Sequence, residues 1–419
     1  MTDTEPDIVI GPREQLFHLL AEAAEIEHTL MCSYLYAAFS LKRADANFSP
    51  PEAAAVARWR KEILGVATEE MIHLLLVSNL SIALGGRPHF ARPNFPVAAG
   101  YFPSGVVVKL TPFSIETVDH FIFLERPRGM QLEDGEGFEA DNDYERKEAH
   151  HGLMPSVQDY TTIGRLYDAL RFNLKASSAR LGEAALFIGA AGSQVGPEVL
   201  SMEGVITIDG LDSALSAIDT IVDQGEGSRD DRDNSHYQRF VTMRKQFLEL
   251  TEANPDFHPA WPAAESPVMR LPPEPEDKVF VDEPGAARVL DFANAVYGLL
   301  LRFLLQAFGR EEPSVAASRH CIDAAIDLMH VLEKVASHLV TLPASRSHPG
   351  VNAGMSFTML RAVEPFLAGR AEEQLMSERL DELVAGARVV ARLNPELAGI
   401  VETLAAIDST GRLHVEQRL

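Results

Sequence analysis

The chain has few cysteines and no recognisable export signal. Its 419 residues include only Cys32 and Cys321, which are too few for a disulfide framework and are typical of a reducing compartment. The first residues, MTDTEPDIVIGPREQ, lack the basic start and apolar core of a signal peptide. We therefore expect a cytoplasmic protein.

Basic residues and long apolar runs are also scarce. Lys and Arg number 37 against 61 Asp and Glu, which gives a formal charge of −24. This excess argues against nucleic acid and anionic membrane surfaces as partners, because both require clustered basic groups. The best apolar run, YGLLLRFLLQAF, is interrupted by Arg302 and falls short of a membrane span. No Gly-rich phosphate loop, Gly-x-Ser-x-Gly or Cys-x-x-Cys motif occurs.

The hydrophobic pattern is mainly helical, and it predicts an all-α fold. Apolar residues recur every three or four positions in most segments, and the length suggests two or three domains. We predict a helical unit at 1–257 with a loop insertion at 86–157, a Pro-rich linker at 258–284 and a helical domain at 285–419. A minor β element is expected near Val106, in the segment VVVKL.

Two predicted helices carry carboxylates within their apolar stripes. Glu27 lies between Ala23 and Leu30 on the first helix, and Glu70 and His73 share one face of the second. A buried carboxylate is normally paired, protonated or bound to a metal. A Glu-x-x-His pair facing a Glu from another helix is the arrangement of di-iron bundles, and its ligands suit iron or manganese. The alternative is a salt-bridged Glu70 beside a hydrogen-bonded core histidine.

A complete di-iron site also needs ligands from a third and a fourth helix. Glu226 ends one predicted helix and His236 begins the next, so an interrupted fourth helix would bring both to the site; otherwise Glu226 is an acidic cap beside a solvated loop. Asp168 is the nearest acidic candidate on the third helix, with Arg165 on its other side. Tyr167 either donates a hydrogen bond in the metal pocket or is a core residue.

Several segments together resemble a bacterial ferritin-like family. This family includes the iminophenyl-pyruvate dimer synthase-type proteins of the violacein and rebeccamycin pathways. The similar segments occur in the family's order: EIEHTLMCSYLYAAFS, EEMIHLLLVSNLSIALGG, PFSIETVDHFIFLERP, YTTIGRLYDAL, SALSAIDTIVDQGEG, SHYQRF, NAVYGLLLRFLLQAF and LVTLPASRSHPGVNAGMSF.

The resemblance implies a ferritin-like four-helix bundle with a metal centre. The ligands it implies are Glu27, Glu70, His73, Glu226 and His236. An acidic residue often follows the third-helix glycine in this family, whereas this chain has Arg165 there. A mononuclear or asymmetric site is therefore an alternative to a standard di-iron centre, and Arg165 could instead hold an anionic substrate.

The function implied is that of a non-haem iron oxidoreductase of specialised metabolism. It would use dioxygen or peroxide on a small amino-acid-derived substrate, with oxidative coupling of an imino acid as one reaction. Two alternatives remain open: an iron-handling ferroxidase or storage protein, and a helical scaffold without metal. The expected partner is a small-molecule substrate, and a homo-oligomer is an option.

Overall fold

The computed structural model describes most of the chain. The described residues are 8–43, 47–102, 106–139, 159–226, 234–273, 278–308, 314–359, 361 and 370–416. Within them the fold is all-α, as predicted. Its helices are α1 (Arg13–Ser40), α2 (Pro50–Ala83), α3 (Ile115–Leu124), α4 (Ile163–Leu181), α5 (Glu183–Leu186), α6 (Leu211–Gly225), α7 (His236–Ala253), α8 (Pro284–Gln306), α9 (Val315–Leu339), α10 (Arg370–Leu393) and α11 (Gly399–Glu416).

The two longest helices, α1 and α2, form a packed pair at the centre of the protein. Helix α2 begins with a capping box, in which Glu52 accepts a hydrogen bond from the Ser49 backbone, and with Pro50 in its first turn. It is followed by Gly85, whose φ of +94° favours glycine and turns the chain. These signals produce the helix boundaries that the sequence predicts.

The third and fourth positions of the bundle are each occupied by two shorter helices. Helix α3 packs on α7 and helix α4 packs on α6, while α4 also contacts α1, and α6 and α7 contact α2. Helix α4, which carries the third-helix residues Arg165, Tyr167 and Asp168, begins at Ile163, later than the start near Ser156 that the sequence suggests. Tyr167, Leu170 and Leu174 are buried, while Ile163 is half-buried. The four-helix bundle therefore has two continuous and two interrupted members.

The helices α8–α11 lie together beside the α1–α2 pair. Helix α8 packs on α9 and α10, α11 packs on α9 and α10, and α9 also contacts α1. The Pro-rich segment before α8 is held against the bundle, because the Trp261 and Ser266 amides donate hydrogen bonds to Ser40 and Leu110. The limits of the domains and of the 86–157 insertion stay predictions, and residues 140–157 lie outside the described part of the chain.

The β structure is minor and differs in place from the prediction. The strands β1 (Pro267–Val268) and β2 (Val279–Phe280) pair in parallel within the Pro-rich segment. Near the predicted strand, Val108 makes only an isolated antiparallel bridge with Val97. A single bridge does not establish the repeating hydrogen bonds of a ladder, so VVVKL is extended chain rather than a strand.

Two helices are long and apolar enough to cross a membrane by length and composition alone. They are α2 and α8, and 72% of the relevant window of each is buried inside the protein. Core helices pass the same test. Since α2 also buries Glu70 and His73, we assign both helices to the protein core.

Candidate metal centre

Three of the predicted ligands meet between α1 and α2. Glu27, Glu70 and His73 are each only 2% exposed. The Nδ1 atom of His73 lies 3.3 Å from Oε2 of Glu27 and 3.2 Å from Oε2 of Glu70. The i, i+3 spacing of Glu70 and His73 places both on the α2 face that packs on α1, as the periodicity predicts.

A second group of three residues shares Glu70 with the first. The Nδ1 atom of His236 lies 2.9 Å from Oε1 of Glu70 and 3.7 Å from Oε1 of Glu125. Glu70 thus directs one carboxylate oxygen towards each histidine. Within each group, the potential ligand atoms all lie within 4.8 Å of one another.

The site lies where four helix ends meet. Glu125 directly follows α3 and Glu226 directly follows α6, whereas His236 is the first residue of α7 and Gly164 lies in the first turn of α4. The ends of α3 and α4 are joined by a 2.8 Å hydrogen bond from Arg126 to the Thr161 carbonyl. The interruption of both helices thus allows residues at helix termini to point inward.

Each histidine is oriented by an outer hydrogen bond. The Nε2 atom of His73 lies 2.8 Å from Oε1 of Gln224, and Nε2 of His236 lies 2.8 Å from Oε2 of Glu69. Arg239 in turn pairs with Glu69 at 2.9 Å. Because Nε2–H of each histidine is donated outward, Nδ1 is the atom that faces the cluster and is available to a metal. In metal sites, acceptors such as Gln224 and Glu69 fix the orientation of the histidine ring.

Two buried tyrosines hold the outer carboxylates. Tyr167 donates its hydroxyl to Oε1 of Glu27, and Tyr34 donates to Oε1 of Glu125. The tyrosines thereby restrict the two carboxylates at opposite sides of Glu70. Tyr167 lies where the sequence places it, in contact with the cluster, and the structure adds Tyr34 as its counterpart.

Protons occupy the cluster when no cation is bound. Burial and the neighbouring Glu70 carboxylate raise the pKa of Glu27 to about 8. Burial opposes protonation of His73, but Glu70 and Glu27 raise its pKa to about 10. For His236 burial is likewise outweighed, by Glu125, Glu69 and Glu70, and its pKa is well above the usual value.

Glu70 differs from Glu27 in the direction of its pKa shift. Burial alone would raise the pKa of Glu70, but His73 and the other donors around it lower it well below the usual value. At neutral pH the Glu70 carboxylate therefore lies between two imidazolium rings in the metal-free cluster. The positive charge of these rings offsets the buried carboxylate.

Glu226 lines the same cavity but is held by a different partner. Its Oε2 atom accepts hydrogen bonds from the backbone and Nε of Arg128, at 3.2 and 3.1 Å. Its Oε1 atom is buried and makes no hydrogen bond. Burial raises the pKa of Glu226, and Arg128 opposes this effect. Glu226 is thus next to the two groups without being a member of either.

Two residues predicted from the sequence lie outside the two groups. Asp168 pairs with Arg128, and the third carboxylate of the groups is that of Glu125. Arg165 is half-buried at the start of α4 but does not line the metal cavity. A carboxylate from the end of α3 is therefore present beside the cluster although Arg165 occupies the third-helix position.

The signal for Glu125 was present in the sequence. Glu125 follows Phe121 by four residues and Val118 by seven, and both are buried on the inner face of α3. The same periodicity identified Glu27. However, Glu125 is followed directly by Arg126 and Pro127. This pattern is typical of a helix end, where a carboxylate normally faces solvent.

The residues present fit a metal ion. A cavity of about 30 Å³ lies among Glu27, Glu70, His73, Glu125 and Glu226, enough space for an ion or a water molecule. Metal bonds to nitrogen and oxygen of roughly 2.1 Å place opposite ligand atoms about 4.2 Å apart, which matches the two groups.

One polar atom of a residue that lines this cavity also lacks a partner. Glu226 Oε1 is buried and makes no hydrogen bond within the described part of the chain. A buried polar atom without a partner is costly, so such atoms mark a position where a further group binds. The oxygen and imidazole donors of the site are those preferred by iron and manganese.

Comparison with known proteins identifies relatives of this chain. A sequence model described as ferritin-like matches residues 20–245. Dichlorochromopyrrolate synthase of Lentzea aerocolonigenes is 27% identical, over 94% of this chain and 41% of that protein. The 2-imino-3-(indol-3-yl)propanoate dimerase of Chromobacterium violaceum is 26% identical, over 80% of this chain and 33% of that protein.

This chain therefore spans less than half the length of both relatives. A crystal structure of a ferritin-like protein from Caulobacter vibrioides has 19% identity and a TM-score of 0.49, covering 83% of this chain and 100% of that one. The sequence matches confirm the predicted resemblance to ferritin-like proteins and to imino-acid dimer synthases.

Proposed function

The chain belongs to the ferritin-like family, and from this premise we propose that it is a metal-dependent oxidoreductase with a di-iron-like centre. Its reaction would be the oxidation of a small amino-acid-derived metabolite with dioxygen or peroxide. The ligands would be Glu27, Glu70, His73, Glu125 and His236, with Glu226 available beside them.

The observation that carries this proposal is the shared carboxylate. Glu70 faces His73 with one oxygen and His236 with the other, and Glu27 and Glu125 lie on the two outer sides. Two neighbouring groups with one common carboxylate would offer places for two ions, with Glu70 contributing to both. This arrangement favours a dinuclear centre over the mononuclear alternative, with iron as the expected metal and manganese as the second choice.

The protein surroundings of the centre would support redox chemistry. When bound, the metal would supply a site at which the oxidant is bound and activated. Leu30, Leu124 and Ile163 line the same cavity and would exclude water from the reacting groups. Tyr167 and Tyr34 would hold the outer carboxylates in place as charge changes.

We propose oxidative coupling of imino acids as the reaction. The names of the two relatives describe a synthase of a chromopyrrolate and a dimerase of an indolyl imino acid. Joining two such molecules by a carbon–carbon bond removes two protons and two electrons. Dioxygen would accept them to give hydrogen peroxide, or peroxide would accept them to give water. We expect this reaction in the cytoplasm, and a homo-oligomer stays a prediction.

Metal analysis tests the centre. Protein produced with iron or manganese supplied should retain close to two ions per chain, and Glu70→Gln should retain much less while its helical content is unchanged. Glu333→Gln is the matched control, because Glu333 pairs with Arg43 and Arg60 away from the cavity. Less than about a tenth of an ion per native chain would favour the metal-free scaffold and contradict the proposal.

A coupling assay tests the reaction. The metal-loaded protein is supplied with an aromatic 2-imino acid, generated in place by an amino-acid oxidase, and the products are analysed by mass spectrometry. A dimeric product that requires native Glu70 supports the proposal. Metal retention and oxidation of ferrous iron in a multi-subunit cage, with no coupled product from any imino acid tested, would favour the iron-handling alternative.

A further inference from the structure

A large apolar cavity lies on the other side of the α1–α2 pair from the candidate metal centre. It has a volume of about 440 Å³ and is lined mainly by α1, α2, α8 and α9. Its walls include flexible methionines and aromatic rings, among them Met31, Met71, Met329, Phe90, Tyr297 and Phe357. It shares no lining residue with the metal cavity. Cavities of this size and character are typical of small-molecule sites.

A buried positive charge lies behind one wall of this cavity. Arg92 is only 5% exposed, and its guanidinium donates hydrogen bonds to the Tyr297 hydroxyl, at 3.1 Å, and to the Phe357 and Pro93 carbonyls. Its Nε atom is buried and makes no hydrogen bond. Among the described residues no carboxylate forms an ion pair with Arg92, although a buried charge normally has such a partner.

The groups around Arg92 do not neutralise its charge. Burial acts to lower the pKa of Arg92, but Tyr297 and Cys32 hold it above the usual value, so the guanidinium is charged. Burial raises the pKa of both Cys32 and Tyr297, so both are neutral at pH 7. Burial also lowers the pKa of His28, which is hydrogen-bonded to Tyr297. The guanidinium, which lies 4.6 Å from the centre of the Phe95 ring, therefore carries a positive charge that no carboxylate among the described residues neutralises.

The charge and the cavity are one side chain apart. Tyr297 and Phe357 both line the cavity, and both also accept a hydrogen bond from Arg92. In the poorly polarisable interior of a protein, the charge of Arg92 attracts a negative charge in the cavity strongly, even across the Tyr297 side chain. An apolar ligand with one negative group would gain from both features.

We propose that this cavity is a second ligand site, for an apolar carboxylic acid whose body lies between α1–α2 and α8–α9 and whose carboxylate lies beside Tyr297 in the field of Arg92. The site is independent of the metal centre, because the α1–α2 pair separates the two cavities. It adds a binding function that the metal chemistry does not require.

Two dyes with the same ring system provide the test. Anilinonaphthalene sulfonate carries one negative charge, and N-phenylnaphthylamine is its neutral counterpart. Both should bind to the native protein with one site per chain, and the anionic dye should bind more tightly. Arg92→Gln should weaken the anionic dye by at least about tenfold and the neutral dye by less than about threefold. Arg92→Lys, which keeps the charge, should retain the preference.

A second variant tests the cavity without changing Arg92. Met329→Trp would fill it and should weaken both dyes by at least about tenfold. Val315→Trp, on an exposed part of the same helix, is the matched control and should change neither. Thermal melting shows whether each variant is folded. Equal affinity for the two dyes, or unchanged binding in Met329→Trp, would overturn the proposal.

Competition distinguishes the source of the acid and separates this site from the metal centre. Displacement of the anionic dye by indolepropanoate but not by dodecanoate indicates an aromatic acid, and the reverse indicates an alkyl chain. Displacement by neither acid overturns the assignment of a carboxylate. Glu70→Gln should lose metal without changing dye affinity, so either proposal can fail while the other stands.

Discussion

Gly164 and the carboxylate of Glu226 are in direct contact across the gap between α4 and α6. A Cβ atom on Gly164 would collide with Glu226 Oε1, so this position accepts no side chain while Glu226 keeps its place. The contact explains why a glycine occupies the first turn of α4, where its flexibility is unfavourable.

Gly164→Ala should force the flexible end of the Glu226 side chain to move, so the gain of up to about 1 kcal/mol in helix propensity should be reduced or lost at this position. Gly298→Ala is the matched control, since Gly298 lies within α8 and a Cβ there meets nothing within 4 Å. That change should stabilise the protein by up to about 1 kcal/mol through helix propensity. Denaturant unfolding measures both, and an equal gain in stability for the two variants would contradict the contact.

Glu125→Gln should lower metal affinity by about a hundredfold or more. Loss of an outer hydrogen-bond partner of a ligand lowers affinity by about 10–100-fold, and loss of a carboxylate that binds the metal directly should cost more. Asp168→Asn should have little effect, since Asp168 only pairs with the partly exposed Arg128. Titration with ferrous or manganous ion measures both variants. A larger loss for Asp168→Asn would restore the original third-helix assignment.

Tyr167→Phe should weaken metal binding by about 10–100-fold, because the hydroxyl that holds Glu27 is lost. Tyr160→Phe is the comparison, because its hydroxyl donates instead to Glu22, outside the cavity. Metal titration and the melting temperature of the metal-free protein should be measured for both. Equal effects of the two changes would indicate that Tyr167 has only a general packing role.

Metal affinity should rise with pH below about pH 8. Glu27, with a pKa of about 8, and His73, with a pKa of about 10, are protonated in the metal-free protein and must release protons to bind a cation. The affinity should thus increase by more than about tenfold per pH unit between pH 6 and 7.5.

The variant Glu27→Gln provides the control for this pH dependence. This variant has one proton fewer to release when the metal binds. The slope of log affinity against pH should therefore be lower by about one log unit per pH unit, and the affinity itself should also be lower. Calorimetry in buffers of different ionisation enthalpy counts the protons directly. A native affinity that does not change with pH would show that the cluster is unprotonated before it binds metal.

Local sequence patterns predicted the half of the site carried by continuous helices. Glu27, Glu70 and His73 lie on the apolar stripes of α1 and α2, and a stripe is a property of consecutive residues. The inward position of His236 was also predicted, from the interruption before α7. These assignments needed only helical periodicity and the cost of burying a carboxylate.

The other half of the site depends on tertiary contacts. A glutamate after the last turn of a helix, such as Glu125 or Glu226, normally faces solvent because the helix dipole disfavours it. What decides its direction is the partner that meets it: Tyr34 for Glu125, and Arg128 with Gly164 for Glu226. These partners are distant in sequence. Periodicity alone therefore could not predict that Glu125 joins the two groups while Glu226 is held by Arg128.

The interrupted helices divide the centre into parts that can change independently. The continuous helices α1 and α2 carry Glu27, Glu70 and His73. The geometry of these two helices hardly depends on the loops. The remaining groups are located where chain segments leave the bundle, between α3 and α4 and between α6 and α7. Lengthening or replacing those connections would alter the entrance and the outer ligands while preserving the α1–α2 half. Under the proposed function, exchange of these loops would change which substrates are accepted while the Glu27–Glu70–His73 group is kept.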